Sequence, residues 1–178
     1  MAGRRNLTEQ DSAATSTSRR EVIITRIIDA PREKVWKAWT NPEQVKKWWG
    51  PQNFSAPHIS IDFRVGGKFV YCMRGAGPDG VTRDFWNTGK HLEIVPMEKI
   101  VSTMSFADEH GNPVPASRYG MPGEWPSEIM ITVTLEDVKG SKTKVTVREA
   151  GIPRVMTEMA GLGWEQSLDK FAESVRHK

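Results

Sequence analysis

The apolar positions change period twice along the chain. Residues 21–28, Glu-Val-Ile-Ile-Thr-Arg-Ile-Ile, are rich in β-branched side chains and predict a first strand. Asp29-Ala30-Pro31 ends it, and Pro31 suits the first turn of a helix. In "REKVWKAWT" that follows, Val35, Trp36 and Trp39 fall on one helical face. Asn41 as cap, Pro42 at the first position and Gln44 three residues beyond the cap predict a second short helix. Val45 then faces Trp48 and Trp49 at i+3 and i+4, and Gly50-Pro51 stops the helix.

Beyond Pro51 the period becomes two. "HISIDFRV" alternates Ile59, Ile61 and Phe63 with polar neighbours, and Gly66-Gly67 turns the chain. "KFVYCMR" alternates Phe69, Tyr71 and Met73, and Gly75 to Gly80 forms the next turn. Residues 82–95 and 99–106 predict another strand pair joined near Pro96. "SEIMITVTLEDV" alternates Ile129, Ile131, Val133 and Leu135; "TKVTVREA" alternates Val145 and Val147. Such patterns suit an antiparallel sheet with one covered and one wet face. Between the strands, residues 107–126 hold four prolines and three glycines. A loop of that length inside a domain is often functional or mobile. Its Val114, Tyr119, Met121 and Trp125 need something to pack on.

At about 154–176 the helical period returns, through Val155, Met156, Met159, Gly163, Trp164, Ser167, Leu168, Phe171 and Val175. Gly161 and Gly163 are odd in a helix. Each costs about 1 kcal/mol against alanine in a helix interior. Close packing on the sheet, or space left for a ligand, must offset that cost. The order is strand, two short helices, a run of strands, one long helix: an α+β domain over residues 21–176. Residues 1–20, rich in Ser, Thr, Ala and Arg, predict a disordered basic tail. The long helix alone is big enough to cover the sheet. A curved sheet wraps a wider arc than one helix fills, so a cavity between them is expected.

Composition narrows the function. The chain has 178 residues, 38% of them hydrophobic, enough for one domain with a core. No apolar run approaches the about 20 residues of a membrane helix, so no membrane association is expected. The first residues lack the apolar stretch of a secretory signal, and the single cysteine, Cys72, cannot close an internal disulfide. Both favour a cytoplasmic protein. Residues 1–20 carry four arginines against one Glu and one Asp; the rest carries 21 basic and 20 acidic residues. So balanced a body gives no footprint for nucleic acid. His58, His91, His110 and His177 are scattered without metal-ligand spacing, no nucleophile elbow occurs, and "GAGPDG" precedes no helix. No metal or cofactor is therefore expected, and Cys72, mid-strand, is expected to be inert packing.

The opening "ITRIIDAPREKVWKAWTNPEQVKKWWGP", the turn "DFRVGGKFVY", the central "GKHLEIVPMEKIV", the loop "SFADEHGNPVPASRYGM" and the closing "GWEQSLDKFAE" together resemble the START-like helix-grip superfamily. Within it they resemble the family named after the activator of heat-shock protein 90 ATPase, in its bacterial single-domain branch. The resemblance covers about residues 21–176. It implies a β-α-α-β(n)-α domain around a hydrophobic cavity, and no one function. The co-chaperone name comes from larger eukaryotic proteins with a further N-terminal domain, where this chain shows a short tail.

Candidate site residues follow. His91 and Glu93 stand two apart on one predicted strand and so share a face, with Leu92 and Ile94 on the other. Parity leaves open which pair looks inward. The family resemblance implies an aromatic and then a cavity-directed Glu at this place, and His91 departs from that pattern. Four of the seven tryptophans fall within residues 36–49. Neighbours on a helix diverge by about 100°, so of Trp48 and Trp49 one packs as core and the other edges the cavity. Trp49, beside the Gly-Pro stop, is the candidate for the edge. Trp49, Tyr71, Trp86, Ile131 and Trp164 are expected as walls, His91 and Glu93 as polar anchors, and the loop bearing Tyr119 and Met121 as a lid. The first expectation is a binding protein for a small hydrophobic or amphipathic ligand. The second is an enzyme of cyclase or hydrolase type using His91 and Glu93. The third is an interaction module with a protein partner, including co-chaperone action, or a homodimer.

Overall fold

The structure is a computed structural model and describes residues 19–176. Seven strands form one antiparallel sheet in the order β1-β7-β6-β5-β4-β3-β2. They are β1 (Arg19–Ile28), β2 (Ser55–Ile61), β3 (Lys68–Ala76), β4 (Thr82–Val95), β5 (Lys99–Ala107), β6 (Ile129–Val138) and β7 (Lys142–Pro153). Two short helices, α1 (Arg32–Thr40) and α2 (Pro42–Val45), follow β1, and the long helix α3 (Thr157–Arg176) ends the chain. Most of the expected tail lies outside the described residues. Its last two positions, Arg19 and Arg20, instead begin β1, paired with Pro153 and Ile152. The first strand therefore closes against the last, and β2 forms the opposite edge.

The covered face follows the alternation. Ile131, Val133 and Leu135 of β6 and Val145 and Val147 of β7 are buried beneath the helices. From α3, Trp164, Leu168, Phe171 and Val175 point into the same core. From α1, Val35, Ala38 and Trp39 do so. Asn41 caps α2 as its sequence predicts: its Oδ1 accepts from the Glu43 and Gln44 amides at 3.0 and 3.3 Å. Within β4, Gly89 lets the ring of Phe69 lie across it. A Cβ there would fall 2.0 Å from the Thr103 carbonyl oxygen and 2.5 Å from that ring.

The two odd glycines of α3 are not forced by close packing. A Cβ on Gly161 would meet only Val22, at 3.8 Å, and one on Gly163 only Pro51, at 3.5 Å. Both are ordinary contacts. Gly161→Ala is therefore expected to raise the unfolding free energy by about 0.5–1 kcal/mol. Urea denaturation checks this; a loss of stability would mean that the helix needs the close approach.

Candidate ligand cavity

A cavity of about 750 Å³ lies between the sheet and the first half of α3. Its existence follows from side-chain size along the helix. Ala160, Gly163 and Ser167, at i, i+3 and i+7, line it with small groups. The large side chains Trp164, Leu168 and Phe171 fill the sheet's other half. The sheet wall is Met73, Phe85, Asn87 and Met104. Five of the eight methionines, Met73, Met104, Met121, Met156 and Met159, border the space. Methionine is flexible and polarisable and adapts to varied apolar shapes.

One end is closed by the segment after α2. Gly50, with φ of +95°, turns the chain so that Pro51 and Phe54 face the cavity. The turn is tied to α3 twice. Gln166 accepts from the Gln52 amide at 3.0 Å, and the Lys170 ammonium donates to the Pro51 and Phe54 carbonyls at 3.1 and 3.3 Å. The other end is closed by the proline-rich loop, through Val114, Met121 and Trp125. Tyr119 stands behind it against Phe85 and Phe106, and its hydroxyl donates to the Ala107 carbonyl. Arg83 fastens the same turn through the Tyr119 carbonyl at 3.1 Å. Beside the cavity, Met159 and Leu162 stand about half exposed and form an apolar rim.

Trp48 and Trp49 divide as their spacing requires. Trp48 is buried against Trp39 and Phe171, and its indole donates to the Ala38 carbonyl at 3.0 Å. Trp49 lines the cavity, edge-on to Tyr71 and Trp164. A second chamber of about 40 Å³ lies deeper, under α1 and α2. Tyr71, His91, Ser102 and Ile131 line it, and Trp49, Met104 and Trp164 line both spaces. Burial pushes the Tyr71 hydroxyl well above its ordinary range and lowers the His91 imidazole, with Asp62 opposing the latter weakly.

The one buried carboxylate on the large cavity is Glu149 of β7, 8% exposed. Its Oε2 accepts from the Trp164 indole at 2.6 Å. Burial pushes its pKa up to about 7, the indole bond pulling the other way. At neutral pH this carboxyl can accept or donate a hydrogen bond inside a mainly apolar wall.

The chain matches the family described as "Activator of Hsp90 ATPase homolog 1-like protein" over residues 29–176. It belongs to that family. Solved structures of the same fold include a Chromobacterium violaceum protein, 25% identical, covering 89% of this chain and 99% of that one with a TM-score of 0.70. An Arthrobacter aurescens protein is 27% identical, covers 89% and 87%, and has a TM-score of 0.68. A Silicibacter pomeroyi protein titled as a member of this family is 16% identical, covers 88% and 98%, and has a TM-score of 0.67. No curated protein matches the sequence.

Within this helix-grip family member the expected site residues separate into groups. Trp49, Met121 and Trp164 border the large cavity; Tyr71, His91 and Ile131 border the small one. Three expectations need correction. Tyr119 borders neither space and packs behind the loop on Phe85 and Phe106. Trp86 is no wall: it pairs across the strands with Cys72 and packs on His58 at 5.5 Å, on the face opposite Tyr71 and Phe85. Glu93 is no anchor: it is half exposed and pairs with Lys99 at 3.3 Å. A β-bulge separates it from His91, since His91 faces Ser102 while Glu93 faces the very next residue, Val101. The extra residue, Leu92, breaks the alternation and turns Glu93 outward. Glu93→Gln is accordingly expected to change stability by less than about 0.5 kcal/mol and to leave ligand affinity unaltered. A tenfold loss of affinity in a calorimetric titration would contradict that placement.

Cys72 is buried, and burial pushes its thiol up to about 11. No cluster of three His, Cys, Asp or Glu side chains among the described residues could hold a metal. No helix among them is long and apolar enough to cross a membrane.

Proposed function

We propose that this protein encloses a small hydrophobic or amphipathic molecule between its sheet, the first half of α3 and the proline-rich loop. The observation that carries this reading is the cavity of about 750 Å³, within the range of small-molecule sites. Its lining is apolar and methionine-rich, with Glu149 as a fixed polar group. Cytoplasmic location belongs to the same proposal and rests on a single, buried, unreactive thiol. Catalysis by His91 and Glu93 has lost its geometric support, because the two side chains diverge at the bulge.

The test is mass spectrometry of the purified protein, native and then denatured, together with titration of 2-ethylnaphthalene followed by the indole N–H signals. A mass released on unfolding, or saturable binding that moves the Trp49 and Trp164 signals, supports the reading. No released mass and no saturable binding would sink it. The apolar rim of Val155, Met159 and Leu162, each about half exposed or more, favours one other reading. In it the rim meets a protein, as the family's co-chaperone name suggests. Stimulation of a chaperone ATPase by this chain, lost in Leu162→Asp, would support that version; an unchanged ATPase rate would remove it.

A further inference from the structure

The small chamber differs from the large cavity in one respect. Two buried nitrogens on its lining residues, Trp49 Nε1 and His91 Nε2, have no hydrogen-bond partner among the described residues. Unpaired buried polar groups are costly, about 1–3 kcal/mol each, and two on the walls of one small space call for an explanation. His91 is 4% exposed, and Phe63 and Phe69 hold its ring at 5.2 and 5.4 Å.

The proton positions follow from the neighbours. His91 Nδ1 stands 3.1 Å from the Ser102 hydroxyl. Of the two directions this bond allows, donation by the hydroxyl uses its proton, which has no other side-chain partner among the described residues, and we assign that direction. The ring proton of the neutral imidazole then sits on Nε2. The Trp49 indole is a donor only. Two unpaired N–H groups therefore belong to residues that line one space of about 40 Å³, and a group in that space that satisfies them is an acceptor. A space of that size admits a single oxygen-bearing group and no ring. Beside Tyr71 and Ser102 the rest of its wall is aromatic and aliphatic, Trp39, Trp48, Phe69 and Val133 among it, a surrounding that disfavours a net charge.

We infer that the small chamber is the head-group subsite of the ligand, and that it takes an uncharged acceptor oxygen, the carbonyl of a ketone, ester or amide. The apolar body of the ligand occupies the large cavity, and its carbonyl enters beside Trp49, Met104 and Trp164, which border both spaces; the Trp49 and Trp164 rings, 5.7 Å apart edge-on, shift to admit it. This inference rests on the ligand-binding reading and deepens it. It assigns His91 a part that needs no carboxylate partner.

Three matched probes test it: 2-acetylnaphthalene, 2-ethylnaphthalene and 2-naphthoate, each titrated into ¹⁵N-labelled protein. The acetyl compound is expected to bind about tenfold or more tightly than the ethyl compound, as for one carbonyl shared by two donors. The Trp49 indole proton should move downfield only with the carbonyl probe. In Trp49→Phe the advantage of the acetyl over the ethyl compound should fall several-fold, whatever the variant's affinity for the ethyl compound. A long-range ¹⁵N spectrum should report His91 as the neutral Nε2–H tautomer. Equal affinities for the acetyl and ethyl probes would overturn the inference and leave the cavity reading intact, the chamber then holding only solvent. Preference for the naphthoate would overturn the uncharged assignment. Binding of none of the three would overturn the inference and, with no mass released on unfolding, the ligand-binding reading as well.

Discussion

Phe171→Ala is expected to lower the unfolding free energy by about 3–5 kcal/mol. Phe171 is fully buried. Its ring lies 5.2 Å from Trp39 and 5.0 Å edge-on from Trp48, so it is where α3 meets α1 and the turn after α2. Truncation removes the ring's burial and opens a hole between two indoles that cannot follow it, because Trp48 is tethered to the Ala38 carbonyl. Helix propensity works the other way, since alanine is the better helix former. Leu162→Ala on the same helix is the control. Leu162 is 58% exposed at the rim, and its loss is expected to stay within about 0.5 kcal/mol. Guanidinium denaturation of both variants reads the difference. A cost for Phe171→Ala no larger than for Leu162→Ala would mean that α3 is not docked through this cluster.

That contrast along one helix was legible before any coordinates. Large apolar residues at 164, 168, 171 and 175 and small ones at 160, 163 and 167 already describe a helix that packs along one line and leaves room along another. The strand positions were legible for the same kind of reason. Alternation is strong where one face is buried, and turns such as Gly66-Gly67 mark the boundaries. The signal for Glu149 was also present. It continues the parity of Val145 and Val147, so the alternation itself carries a carboxylate inward. The failures have a different cause. Parity assumes an unbroken ladder, and the bulge between His91 and Glu93 broke it. Trp86 lies five residues before His91 and so has the opposite parity on the same strand; its place opposite Cys72 on the outer face follows from alternation that was not applied to it. The proline-rich loop announced itself by composition. That Met121 faces the cavity while Tyr119 stands behind it depends on a 3-10 turn at Ala116–Tyr119, which no periodic pattern marks.

Glu149→Gln is expected to stabilise the protein by about 3 kcal/mol at pH 8 and to have little effect at pH 4. The sign comes from where the proton is held. Burial raises the folded-state pKa of Glu149 from its ordinary 4.5 to about 7, so between those values the folded chain binds the proton and the unfolded chain releases it. Stability contributed by the protonated carboxyl is present in full below pH 4.5. It is lost as pH rises towards 7, where the folded chain must also ionise in an apolar wall. Glutamine keeps an oxygen that can accept from the Trp164 indole and carries no ionisable proton, so it escapes the penalty. His91 pulls oppositely: its lowered pKa removes stability as pH falls below its ordinary 6.5. The quantity to measure is therefore the difference in unfolding free energy between variant and parent, in which the His91 contribution cancels. That difference should climb between pH 4.5 and 7 and level off above. A flat difference across this range would mean that Glu149 ionises as freely as an exposed carboxylate. A falling one would mean that a cation, from the ligand or the protein, sits beside it in the cavity.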